Sequence, residues 1–195
     1  MEQEPVRHEK KAEAQYPEIA AELTAMVDAE QKMRRGWEEG VYLEEDEGLD
    51  ERNTERLKAI IEQIDWPTVS KVGEEASHMA WLLAQHADHD PDFQRQCLAL
   101  LKDAPPGEIQ LKEIGYLDDR IRFHEGRPQL YGTQFTVSED GVFGPAPIED
   151  IEHLDERRAS LDMGSFAGYA KGMYELNKDV AAKKQGEGSQ SRHLE

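Results

Sequence analysis

The chain has 195 residues, which is the size of one ordinary globular domain. It carries 42 acidic and 23 basic residues, a formal net charge of -19. This charge argues against nucleic acid and against an anionic membrane surface as partners, because both select for basic patches. Cys97 is the only cysteine, which excludes an intramolecular disulfide and a thiolate metal cluster.

No apolar run approaches the roughly 20 residues of a membrane span. The N-terminal residues are rich in charge and have no signal-peptide core. These features predict a cytoplasmic globular protein.

Both ends and one internal segment lack the pattern of a packed element. Residues 1–14 are charged without periodicity, and residues 183–195 contain a run of Gly, Ser and Gln, so both segments are predicted to be disordered. Residues 36–52 hold eight acidic side chains. They form either a solvated connector or an acidic loop that attracts cations. The remainder, residues 15–182, is predicted to be a single globular helical domain.

Helical periodicity dominates this remainder, since apolar residues recur three to four positions apart in most of it. The predicted helices cover residues 16–34, 53–64, 73–88, 91–104, 108–119, 148–161 and 165–183. The third of these is apolar on every side from Met79 to Ala84, which is typical of a helix buried all round.

The periodicity changes to two after Arg120. Ile121 and Phe123 alternate before a turn, residues 130–137 are rich in β-branched and aromatic side chains, and residues 142–144 follow a second turn. This pattern predicts an antiparallel three-stranded meander. The predicted fold is therefore mainly α, a single helical domain around a buried central helix with this small meander.

Several polar residues fall where an apolar residue is expected. Gln85, His86 and Asp88 follow the buried helix within one turn, where burying hydrogen-bonding and titratable groups is costly. Polar side chains also interrupt the inward faces of five other elements, at Glu30, Asn53, Asp118, Gln134 and Arg158. Each alone is typical of a satisfied core residue or an ion pair, but together they favour a polar pocket.

The candidate catalytic residues are His86 and Asp88. Histidine titrates near neutral pH without special help, so His86 is the predicted general acid/base, and Asp88 could orient it. Guanidinium groups recognise carboxylate or phosphate through paired hydrogen bonds, which predicts a small anionic ligand. The candidate ligand-binding residues are Gln85, Arg120, Tyr131, Gln134 and Arg158.

The sequence supports a metal site or a catalytic nucleophile less than it supports the acid/base site. His86 and His89 lie near two aspartates, but Asp90 precedes Pro91 and is expected to cap the next helix, which leaves no convincing third ligand. Cys97 lies on an apolar stripe and is typical of a core residue. The chain has no glycine-rich phosphate loop and no dinucleotide fingerprint, so neither a metal nor a cofactor is predicted.

Several short runs carry a resemblance to a known family. The most specific are Gln-His-Ala-Asp at residues 85–88 and Tyr-Gly-Thr-Gln at residues 131–134, accompanied by residues 66–68, 119–120 and 155–158. In this order they resemble a bacterial family catalogued only as a domain of unknown function, over roughly residues 19–169. The resemblance supports the domain boundaries and the choice of residues, and it implies no chemistry.

Two functions remain open. The first is a small-molecule enzyme that uses His86 as a general acid/base on an anionic ligand. The second is a non-catalytic binding or protein-interaction module whose inward polar residues are structural, with a protein partner that the sequence does not identify. If the first is right, the guanidinium edges of Arg120 and Arg158 should face a cavity. If the second is right, both guanidinium groups should form ion pairs with internal carboxylates.

Overall fold

The computed structural model describes residues 14–178, which form eight α-helices and one two-stranded antiparallel sheet. The helices are α1 (Pro17–Glu38), α2 (Leu49–Ile64), α3 (Val69–Val72), α4 (Glu74–Gln85), α5 (Pro91–Asp103), α6 (Lys112–His124), α7 (Leu154–Ala159) and α8 (Phe166–Leu176). The strands are β1 (Phe135–Val137) and β2 (Phe143–Pro145). The predicted mainly α class is confirmed.

The described chain divides into two compact units. The first contains residues 14–83 and 104–109, and the second contains residues 84–103 and 110–178. The prediction of a single domain over residues 15–182 stays a prediction. The segments predicted to be disordered, residues 1–14 and 183–195, lie outside the described residues except for Ala14.

Helices α1 and α2 build the first unit and are longer than predicted. Leu23, Leu57 and Ile60 are fully buried in its core. Arg34 on α1 donates hydrogen bonds at 3.2 Å to the carboxylate of Asp50, in the first turn of α2. This pairing favours a helical first turn, because it gives the carboxylate there a partner. The acidic connector predicted over residues 36–52 is therefore shortened by a helical turn at its C-terminal end.

Helix α4 is the buried helix that the sequence predicts, although its burial is uneven. Ala80 and Ala84 have no solvent exposure, and no residue from 76 to 87 is exposed. Met79 and Trp81 are only half-buried, so the helix is not covered equally on every side. Helix α5 carries Cys97, which is fully buried, as its place on an apolar stripe predicts.

The predicted three-stranded meander is wrong in its first strand. Ile121 and Phe123 belong to α6, which continues beyond them. Leu117 and Ile121 lie four residues apart on a buried helical face. Arg122 donates to Asp118 at 2.8 Å, an (i, i+4) pair that stabilises the same turn. Two alternating residues are too few to outweigh these helical contacts.

Only the last part of the predicted second strand is a strand. β1 pairs with β2, with Thr136 opposite Gly144. Residues 129–134, named here the 129–134 loop, pair many of their backbone groups with side chains, and the backbone of Gln129 forms an isolated parallel bridge with Ile148. Gly132 in this loop has φ +68°, and a Cβ there would lie 2.7 Å from the Phe166 ring of α8. The loop therefore passes α8 too closely for any larger residue.

We expect Gly132→Ala to lower the free energy of unfolding by about 2–5 kcal/mol, measured by urea denaturation. A positive φ costs an alanine about 1–2 kcal/mol, and overpacking against Phe166 adds about 1–3 kcal/mol. Gly126→Ala is the matched control, since Gly126 has φ +69° with nothing within 4 Å of the added Cβ. Equal losses in the two variants would contradict the close approach.

Candidate functional site

A buried carboxylate on α6 organises the 129–134 loop. Asp119 has no solvent exposure, and its Oδ1 accepts hydrogen bonds from the backbone N–H groups of Leu130 at 2.6 Å and Tyr131 at 3.0 Å. Its Oδ2 accepts from both the backbone N–H and the hydroxyl of Thr133 at 3.0 Å. Burial raises the pKa of Asp119 and these hydrogen bonds lower it, and the net pKa lies above its usual range.

The side chain of Gln129 closes the same loop. Its Nε2 donates to the carbonyls of Gln134 at 3.0 Å and Ala146 at 2.8 Å, and its Oε1 accepts from the Gln134 N–H at 2.8 Å. The Gln134 side chain donates to the Thr133 hydroxyl at 3.0 Å. Side chains thus pair backbone groups that a neighbouring strand would otherwise satisfy.

Two adjacent arginines of α7 bind the carbonyls of the loop. Arg157 Nε donates to Leu130 at 2.8 Å. Arg158 Nη1 donates to Tyr131 at 2.6 Å, and its Nε donates to Gly164 at 2.7 Å. The guanidinium carbon of Arg158 lies 5.1 Å from the centroid of the Tyr169 ring, a distance suited to a cation–π contact.

Arg158 is a buried cation that forms no ion pair with any carboxylate in residues 14–178. Arg158 is only 2% exposed. Its hydrogen bonds to the described residues nevertheless go to backbone carbonyls and not to carboxylates. Buried charges are ordinarily paired with an opposite charge, because desolvation of an isolated ion is costly. Arg158 therefore presents positive charge that the described part of the chain does not neutralise.

A cavity of about 420 Å³ opens beside Arg158. Helices α6 and α8 and the segment between α7 and α8 line it, with Lys112, Tyr116, Asp162, Met163, Gly164, Ser165, Gly168 and Tyr169. The Tyr169 hydroxyl donates to the Thr133 carbonyl at 3.1 Å. Burial, followed by the neighbouring Tyr116, raises the pKa of Tyr169, so its hydroxyl stays protonated and keeps this bond near neutral pH.

Arg120 and Asp88 form a closed ion pair. Arg120 Nε donates to Asp88 Oδ1 at 2.7 Å, and its Nη2 binds Oδ2. Gln94 also donates to Asp88 at 3.1 Å, and His124 Nδ1 lies 3.3 Å from Oδ1. Burial raises the pKa of Asp88, but the hydrogen bonds and charge of Arg120, assisted by His124 and Gln94, hold it below its usual range.

The predicted site residues do not all share one set of contacts. Asp88 and Arg120 meet in the ion pair, whereas Tyr131, Gln134 and Arg158 meet at the 129–134 loop. Of the seven predicted residues, Arg158 is the one that lines the cavity.

Gln85 and His86 lie at the C-terminal end of α4. Gln85 is buried, and its carbonyl accepts from Gln94 at 3.1 Å. His86 is half-buried in the turn that follows. The predicted catalytic roles of His86 and Asp88 stay predictions.

The sequence interpretation missed Asp119 as the centre of this arrangement. It placed Asp118 on the inward face of the helix instead. Both are buried, but Asp118 binds Arg122 and Lys102. Gly115 lies one helical turn before Asp119, on the same face of α6. Because glycine has no apolar side chain, the sequence pattern did not identify this face as buried. The Asp-Arg pair at residues 119–120, one of the runs shared with the family, was the sequence feature that could have indicated Asp119.

Within residues 14–178, no three His, Cys, Asp or Glu side chains are arranged to hold a metal ion. Cys97 is buried, and this burial, with the nearby charge of Asp90, raises the pKa of its thiol to about 12. A thiol with that pKa is a weak nucleophile at neutral pH. No helix of the same described range is long and apolar enough to cross a membrane.

Comparison with known proteins identifies the family. The model described as "Family of unknown function (DUF6624)" matches residues 17–179, and the chain belongs to this family. No curated protein and no solved structure matches the chain. This match confirms the prediction, made from the sequence motifs, that the chain belongs to a family of unknown function.

We expect Asp119→Asn to destabilise the protein by about 2–4 kcal/mol in urea denaturation. An amide keeps one acceptor oxygen but turns an N–H₂ group toward backbone donors, which leaves buried N–H groups without an acceptor. Asp140→Asn is the control, because Asp140 is exposed in the turn between β1 and β2. A loss no larger than that of the control would contradict the role of Asp119.

Asp88 predicts a pH dependence of stability. Its folded pKa lies below its unfolded value, so ionised Asp88 stabilises the fold above about pH 3.9, and this contribution is lost as the pH falls through the folded pKa. The difference in unfolding free energy between wild type and Asp88→Asn should be largest near pH 6 and shrink toward pH 3. Asp92→Asn should show little difference at either pH, since the Asp92 side chain is 91% exposed. A wild-type advantage over Asp88→Asn that grows on acidification would reverse the assigned sign.

Proposed function

We propose that this member of the family binds a small anionic ligand, a carboxylate or a phosphate, in the cavity beside Arg158. The observation that carries the proposal is a nearly fully buried guanidinium that lines a cavity and forms no ion pair within residues 14–178. The carbonyls of Tyr131 and Gly164 fix its plane. Its remaining nitrogen, Nη2, makes no hydrogen bond to the described residues and is available to a ligand.

The other walls suit the same ligand. Lys112 supplies a second positive charge, and Ser165 supplies a hydroxyl at the start of α8. The volume of about 420 Å³ falls in the range of pockets that hold small organic molecules, roughly 300–1,000 Å³. Asp162 is the one carboxylate in the lining, so the positive charges outnumber the negative ones.

The proposal is one of binding, and it assigns no catalytic step to His86. Asp88, which the sequence interpretation assigned to orient His86, receives hydrogen bonds from Arg120 and Gln94. Arg120 is closed by the same contact, and neither residue lines the cavity. The catalytic roles of His86 and Asp88 stay predictions, and of the two arginines assigned to the ligand, Arg158 is the one that lines the cavity. A cytoplasmic location belongs to the same proposal, and fractionation of cells would test it.

We expect inorganic phosphate or glutarate to raise the melting temperature of the wild-type protein in a saturable manner at constant ionic strength. Gly164→Val should abolish this shift, because its side chain enters the cavity while Arg158 is retained. A Cβ at Gly164 meets nothing within 4 Å, so the first carbon of the new side chain has open space, and circular dichroism checks the fold of the variant. Gly172→Val is the matched control, since Gly172 also has open space and does not line the cavity.

Arg158→Lys tests the guanidinium directly. The lysine keeps the charge but loses the planar, paired donors, so ligand affinity should fall at least tenfold. The proposal fails if neither anion stabilises the wild type, or if the ligand stabilises Gly164→Val as much as it stabilises the wild type and Gly172→Val.

A further inference from the structure

A cluster of exposed apolar side chains lies at the C-terminal end of α1, in the first unit. Its members are Trp37, Val41, Tyr42 and Leu43, named here the Trp37 patch. Tyr42 is 74% exposed, and its ring stacks on Trp37 with centroids 6.4 Å apart. Contiguous exposed apolar surface of this kind is typical of interaction sites.

The backbone holds the patch in a defined conformation. Gly40 has φ +78°, its N–H donates to the Trp37 carbonyl at 3.0 Å, and the Val41 N–H donates to the Gly36 carbonyl at 2.7 Å. These two bonds form a Schellman motif, which ends the helix and turns the chain back over its last turn. The apolar residues that follow are thus directed outward by a folded turn.

A cavity of about 250 Å³ lies next to the patch. Buried Met33 lines it, together with Val41 and Leu43 from the patch. Lys32, Arg35, Glu39 and Asp46 are also in its wall. An apolar side chain from a partner would find both an apolar floor and a polar rim there, which is the usual anatomy of a protein–protein contact.

Charge around the patch selects the partner. Residues 32–52 contain eight carboxylates against four basic residues, Lys32, Arg34, Arg35 and Arg52, so the segment as a whole is acidic. Arg34 pairs with Asp50, and most of the other acidic side chains are exposed. A basic surface would be attracted to this region, whereas an acidic one would be repelled.

We propose that the Trp37 patch is the docking site for a basic segment of a partner protein, one that carries apolar side chains on one face. The apolar face would cover Tyr42 and Leu43, and its lysines or arginines would meet the surrounding carboxylates. This site belongs to the first unit and is independent of the anion cavity proposed in the second.

Three synthetic peptides test the proposal on the full chain. The first is an amphipathic helix of Lys and Leu, the second replaces Lys by Glu, and the third replaces Leu by Ser. Fluorescence anisotropy of the labelled peptides at physiological ionic strength should show binding of the Lys/Leu peptide, with the other two at least tenfold weaker. The double variant Tyr42→Ser with Leu43→Ser should weaken binding of the Lys/Leu peptide at least tenfold.

The matched control is Val142→Ser with Leu176→Ser, which removes two exposed apolar residues outside the patch. It should bind the Lys/Leu peptide as the wild type does. Circular dichroism checks that each variant is folded, and the single Tyr42→Ser variant replaces the double one if it is not. The proposal is overturned if the Lys/Leu peptide does not bind, if the Lys/Ser or Glu/Leu peptide binds equally well, or if the patch variant keeps wild-type affinity.

Discussion

Asp119 is a buried carboxylate on α6. It lies against residues 130–133, which do not pair with a neighbouring strand. Its two oxygens accept hydrogen bonds from the backbone N–H groups of Leu130, Tyr131 and Thr133. Each buried N–H left without an acceptor would cost about 1–3 kcal/mol. Asp119 thereby helps to position the Tyr131 carbonyl, which accepts the hydrogen bond from Arg158.

The two site arginines show how surroundings decide what a guanidinium can do. Arg120 meets the carboxylate of Asp88 through two nitrogens, which neutralises its charge in a partly exposed ion pair. Arg158 meets two carbonyls and an aromatic ring, which fix its orientation without neutralising it. Since a guanidinium keeps its proton at any physiological pH, the charge of Arg158 persists. Fixed, desolvated positive charge is the property that an anion site requires.

The helices were predictable because their apolar residues repeat at helical spacing, as in Leu23 of α1 and Leu57 of α2. The first strand was not, because the alternation at Ile121 is also compatible with a helix, and the contact of Arg122 with Asp118 favours the helix. Arg158 was found because a charged residue on an apolar stripe is visible in the sequence. Asp119 was missed because its partners are backbone groups of a loop distant along the chain, and no side-chain pattern records them.

The most direct test of the anion site follows the guanidinium resonances during titration with inorganic phosphate. Nitrogen–proton correlation spectra would follow the Nε–H of Arg158 and of its neighbour Arg157, which donates to the Leu130 carbonyl but does not line the cavity. We predict a saturable shift of the Arg158 resonance with no comparable change at Arg157, and loss of that shift in Gly164→Val. An unchanged Arg158 resonance, or equal and unsaturated shifts at both arginines, would contradict the assignment of the cavity as an anion site.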